Sequence, residues 1–150
     1  MTAPDSPVLA YWSEHREQLR QSESQRAVLT NYVLAIAAAI SGLAVQQHFR
    51  TQTLPLSILV ALIGLYGALA AAKYHERDNY HLGQARALTQ VLVESGALAD
   101  NDVILDRFRG DHYQAYPRLS RIRLHWLWTG LHLGVAAYGL VLIVLTCVDS

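Results

Sequence analysis

Seven histidines are the side chains of this sequence best suited to chemistry, because imidazole ligates haem iron and zinc and exchanges protons near neutral pH. Their spacing does not assemble a ligand set. His132 alone lies deep in an apolar stretch, His48 lies at the far end of another, and His75 and His125 lie at basic edges. Two haem ligands need matching depths on facing helices, which only the edge pair approaches. His132 is instead expected at an interface or in a polar packing contact with Asn31 or Thr30. The single cysteine, Cys147, allows no internal disulfide and no multi-thiolate zinc site. Glu76, Asp78, Asp102, Asp106 and Asp111 are interleaved with arginines, as on a solvated helix, and no carboxylate enters an apolar stretch. The patterns GxxxxGK[ST], HExxH and GxSxG are absent. Neither a cofactor nor enzymatic activity is expected. Arg77, Arg86, Arg107, Arg109, Arg118, Arg121 and Arg123 remain, and guanidinium groups grip phosphate and carboxylate. An anionic nucleotide or oligonucleotide, an acidic partner surface and lipid headgroups all fit that set.

The elements that must hold these residues follow from composition. Of 150 residues, 52% are hydrophobic and only 16% charged, which is too apolar for an ordinary soluble domain. Twelve basic residues balance twelve acidic ones, so net charge advertises no nucleic-acid surface. Residues 27–49, 51–72 and 124–148 are free of charge and strongly apolar, and about 20 such residues suffice for a helix to cross the hydrocarbon core. We therefore expect an all-α membrane protein with three transmembrane helices in one membrane domain, residues 1–150. The first span is not a cleavable signal, since 26 polar residues with four acids precede it.

Eleven of the twelve basic residues fall before the first span or between the second and third; Arg50 is the exception. By the positive-inside rule the N-terminus and residues 73–123 are cytoplasmic and the C-terminus is outside. Trp126 and Trp128 stand where interfacial anchors belong. The cytoplasmic material totals 77 residues, too little for most independent catalytic domains.

Within it, Ser6 and Pro7 read as the cap and first position of an N-terminal amphipathic helix over residues 1–26, with Val8, Tyr11, Trp12, His15 and Leu19 at helical spacing. No breaker separates it from the first span. The second span likewise continues through Lys73 to Leu82, and Leu82, Ala85, Leu88 and Leu92 keep the period until Ser95 and Gly96. Asn101 and Asp102 offer a cap for a short helix that Gly110 would stop or bend, and Pro117 closes this connector.

Each span carries one stripe of small or polar residues: Thr30, Ala37, Ser41, Ala44 and His48, with Asn31 alongside; Ser57, Ala61, Gly64, Ala68, Ala71 and, at the cytoplasmic mouth, His75; His125, Thr129, His132, Ala136, Gly139 and Thr146. Such faces avoid lipid, whether by packing in a bundle or by lining water. In a pore, Thr129 and His132 would stand near the cytoplasmic mouth, Ala136, Gly139 and Ile143 would form a narrow apolar stretch able to gate by dewetting, and Thr146 would follow. Gly130 and Gly134 form a GxxxG pair on the other side of the third span, which suits a second protein contact and hence a homo-oligomer.

The order of an aromatic and charged N-terminal helix, Tyr11 to Arg26, a span, a tight turn, a second span and the charged run Lys73-Tyr74-His75-Glu76-Arg77 through Arg86-Ala87-Leu88 resembles the small bacterial transmembrane effectors of the SLATT type. The resemblance covers residues 7 to 95 and rests on layout; a third span departs from the two-span pattern. It implies a channel-forming or membrane-disrupting effector of nucleotide-signal and antiphage systems in the inner membrane, held closed until a cytoplasmic cue or sensor protein acts. The rival expectation is a non-conducting membrane adaptor for a cytoplasmic partner.

Overall fold

The computed structural model describes residues 7–97 and 99–148, and these form helices without strands. The order is α1 (Pro7–Gln46), a 3₁₀ turn (Thr51–Thr53), α2 (Leu54–Glu94), α3 (Ala99–Ala115), a second 3₁₀ turn (Leu119–Arg121) and α4 (Leu124–Val148). Three of the helices, α1, α2 and α4, are long and apolar enough to cross a membrane. The expected cap Ser6 lies outside the described residues.

Helix α1 runs 40 residues, about 60 Å at the helical rise, and α2 runs 41, because neither meets an internal proline after its first turn. Both end in the same device. At α1 the N–H of His48 donates to Val45 O at 3.0 Å and that of Phe49 to Ala44 O at 3.1 Å; at α2 Gly96 donates to Val93 O at 2.9 Å and Ala97 to Leu92 O at 3.0 Å. These paired bonds are Schellman motifs, which require a left-handed residue just past the helix. Gly96 supplies it at φ 79° without strain, whereas at α1 His48 (φ 49°) and Phe49 (φ 51°) adopt it despite their side chains. Phe49 then packs onto the apolar core. Helix α1 therefore stops three residues short of the apolar stretch 27–49, and α2 starts at Leu54, with 47–53 forming the reversal.

The chain divides into two compact units. The unit of residues 23–75 and 124–150 is turned inside out relative to a soluble bundle. Its buried residues include Thr30, Ala37, Ala44, Thr53, Ser57, Ala61, Ala68, Ala71, Ala136 and Thr146, with His132, Arg26 and an apolar cluster of Val33, Ile40, Val60, Val135 and Leu142, while Leu34, Leu43, Leu62, Leu65, Leu69, Leu133, Leu140 and Val144 face outward. Small side chains along the α2–α4 seam with most leucines outward is the arrangement that lipid as solvent favours, because helix association then depends on close backbone packing.

The register follows from the contacts. Thr53 meets Thr146, Ala61 meets Gly139, Gly64 meets Ala136, Gly67 meets His132, and His75 stacks on His125. Numbers rise on α2 as they fall on α4, so the two are antiparallel along their length. Arg26 on Trp128 and Thr30 on His132 rise together, so α1 and α4 are parallel.

The unit of residues 1–22 and 76–123 pairs the start of α1 with the end of α2. Trp12 Nε1 donates to Thr89 Oγ1 at 3.0 Å, His15 meets His81, and Arg77 donates to Gln18 Oε1 at 2.9 Å. This pairing is antiparallel as well. Val8, Trp12, His15 and Leu19 turn toward the unit's interior, but Tyr11 is exposed. From α2, Ala85 is buried and Leu82, Leu88 and Leu92 are half-buried. Helix α3 begins at Ala99, so Asn101 and Asp102 lie within its first turn and do not precede it, and it passes through Gly110 to Ala115. Glycine costs an exposed helix only about 1 kcal/mol, which flanking helix-compatible residues absorb.

Candidate functional site

Most of the stripe expected to line a pore lies inside the single chain. His132, Ala136, Gly139 and Thr146 are buried, and Thr129 and Ile143 are half-buried. Glycine decides how closely α2 and α4 approach. A Cβ at Gly64 would overlap the backbone of Ala136, one at Gly139 the backbone of Ala61, and one at Gly67 the ring of His132. Ala68 is buried on the same face of α2, and Ser41 on α1 is half-buried, its hydroxyl donating to Ala37 O at 2.6 Å.

His132 is 1% exposed, and its tautomer can be read from its partners. Thr30 Oγ1 donates to Arg26 O at 2.9 Å, which leaves its lone pairs for the His132 Nε2 at 3.2 Å. Nε2 therefore carries the hydrogen. Nδ1, the bare nitrogen, has no hydrogen-bond partner among the described residues and faces Gly67. Polar packing with Thr30 is the environment found, while Asn31 is exposed. At the other end, Thr53 and Thr146 approach to 3.4 Å, but each hydroxyl already donates to a carbonyl of its own chain segment, Arg50 O and Leu142 O, so this is a packing contact.

Arg26 is 6% exposed, with its guanidinium 5.3 Å from the Trp128 ring centroid. The sequence placed Trp126 and Trp128 together as interfacial anchors; the structure separates them. Trp126 is 66% exposed, whereas Trp128 is turned inward beneath a cation that its face attracts. The edge histidines His75 and His125 stack face to face, centroids 3.8 Å apart and planes within 10°, so their in-plane lone pairs do not converge. No group of three or more His, Cys, Asp or Glu among the described residues is placed to hold a metal ion.

Gly130 and Gly134 are on the outside, and a Cβ at either would meet nothing within 4 Å. With Leu34, Ala37, Ala38, Ser41, Leu131, Val135 and Tyr138 they line an open, mostly apolar groove of about 740 Å³ between α1 and α4.

The seven arginines do not form one cluster, and all are exposed. Arg86 and Arg109 come together from α2 and α3 to line a cleft of about 440 Å³ with Thr89, Gln90, Val93, Asp106 and Tyr113. Arg77 instead reaches Gln18, and Arg107, Arg118, Arg121 and Arg123 do not line that cleft. Arg109 also pairs with Asp106 at 3.0 Å, an exposed i,i+3 contact worth little in stability. Thr89 and Gln90 carried no sequence signal, since polar residues on a solvated helix face are unremarkable until α3 folds beside them. No family model, curated protein or solved structure matches this chain.

Proposed function

We propose that this chain is a homo-oligomeric bacterial inner-membrane channel or membrane-disrupting effector regulated from the cytoplasm, in the manner that its resemblance to SLATT-type antiphage effectors implies. The N-terminus and the Arg-rich unit then lie in the cytoplasm and the C-terminus outside. The observation that carries the reading is the open α1–α4 groove, where Gly130, Gly134 and Ala38 leave backbone accessible beside Leu34, Leu131 and Tyr138. A second copy of the chain supplies the complementary helix, and close approach of small residues is how helices associate in lipid. An anionic nucleotide or oligonucleotide in the Arg86–Arg109 cleft, or a cytoplasmic sensor protein, supplies the cue. Thr129, His132, Ala136, Gly139, Ile143 and Thr146 reach a conduction path only when the α2–α4 contact loosens, so the closed bundle is a resting state.

The adaptor reading also has a specific observation behind it. Helix α3 exposes Val103 at 76% and Phe108 at 69%, and a soluble partner would cover them. Reconstitution in planar bilayers separates the two. A channel gives discrete conductance that changes with added nucleotide and falls when Gly134→Ile blocks the groove. An adaptor gives none at any protein density.

A further inference from the structure

Helices α1 and α2 meet in the unit of residues 1–22 and 76–123 through a contact between two histidine rings. The Nδ1 atoms of His15 and His81 are 3.0 Å apart, and the ring centroids are 5.3 Å apart. An imidazole nitrogen stands about 1.1 Å from its ring centre, so the centroid separation equals the nitrogen separation plus one radius on each side, and both nitrogens lie on the line of centres. Each nitrogen thus directs its lone pair or N–H straight at the other. A chelated metal needs lone pairs that converge off that line, whereas a single hydrogen between the two nitrogens needs this in-line geometry.

We propose that the His15–His81 contact is a proton switch, holding α1 to α2 while one hydrogen bridges the two rings and releasing them when both rings are charged. One ring must donate through Nδ1–H and the other accept at a bare Nδ1. As pH falls, the first proton goes to the far nitrogen of the donor ring and leaves the bridge intact. The second can enter only at the accepting Nδ1, which removes the acceptor and places two imidazolium ions in contact. The charges acting on His81 come from both helices: His15 and Glu14 on α1, Arg77 and Asp78 on α2. Burial first, then the charges of His15 and Arg77, hold His81 below its ordinary value of 6.5, while Asp78 and Glu14 oppose them. A histidine whose folded value is depressed contributes stability that is present above its unfolded value of 6.5 and is lost as pH falls through the folded one, so acid opens the contact. Tyr80, edge-on to His81 at 5.3 Å, adds no competing charge. The switch requires neither conduction nor oligomerisation.

The test uses the full chain in nanodiscs with Cys147→Ser and spin labels at the exposed Ser13 and Gln84. Between about pH 7.5 and pH 5 the label distance should lengthen or broaden, and in His15→Asn/His81→Asn, which keeps short polar groups without the proton site, it should not change. A distance that is constant in the unsubstituted pair, or a change that persists in the double variant, overturns the proposal. Histidine ¹⁵N shifts in the wild-type chain provide a measurement independent of substitution. His81 should titrate below its ordinary value of 6.5, and titration at that value overturns the proposal.

Discussion

At the scale of single residues, the glycines separate two roles that composition does not distinguish. Gly64→Ala and Gly139→Ala each drive a methyl into partner backbone, which cannot rotate away, and each should cost about 1–3 kcal/mol of bundle stability. Gly130→Ala and Gly134→Ala meet open space and should leave that stability within experimental error while weakening self-association. Unfolding in mixed detergent micelles, paired with sedimentation in mild detergent, reads both. His48 presents the opposite case. It holds a left-handed conformation that costs a side-chain-bearing residue about 1 kcal/mol, so His48→Gly should raise the melting temperature of the detergent-solubilised protein. A fall in melting temperature would mean that the imidazole makes a contact worth more than the strain. Helical periodicity already put Gly64 and Gly139 on the small-residue stripes and Gly130 and Gly134 on another face, but the close approach at Gly64 and Gly139, and the strain at His48, depend on packing and backbone that spacing does not show.

At the scale of elements, the sequence was most informative where one face of a helix had to differ from the rest. Most of the residues in the stripes on the three apolar stretches are buried, Thr30, Ser57 and His132 among them, whereas Ser41, His125 and Thr129 are half-buried and His48 is exposed. Charge and periodicity also located the long extension of α2. Helix α3 was harder, since the cleft it makes with α2 joins residues about 20 positions apart that share no periodicity. That cleft makes a direct prediction. Arg86→Gln with Arg109→Gln should reduce binding of a fluorescent polyanionic nucleotide by about tenfold or more, one charge-assisted contact being worth about 1.5–3 kcal/mol, while Arg107→Gln should change it little. Equal losses in both variants would mark the binding as diffuse attraction to a basic surface.

For the whole molecule, the two compact units differ in the contacts that hold them. The unit of residues 23–75 and 124–150 buries the small residues of its α2–α4 seam and exposes many of its leucines, and the other unit pairs Trp12, His15 and Gln18 with Thr89, His81 and Arg77 through polar contacts. Their sensitivities should differ accordingly. Acidification to about pH 5 should raise hydrogen exchange at residues 8–20 and 78–92 and leave that of residues 55–70 unchanged, as mass spectrometry of the nanodisc-embedded chain can show. Uniform exchange across both would mean that the chain opens as a single cooperative body.

The inverted interior also sets the terms on which this chain can vary. Where small side chains form the seam, a substitution is limited by added bulk and hardly at all by lost greasiness, and on the outer flank Leu, Ile, Val and Phe are nearly interchangeable. A deep mutational scan should therefore trace a helical ribbon of size ceilings along positions 57, 61, 64, 68 and 71, facing 132, 136 and 139. Permissive, shape-blind positions should lie between them, a pattern no water-soluble bundle would produce.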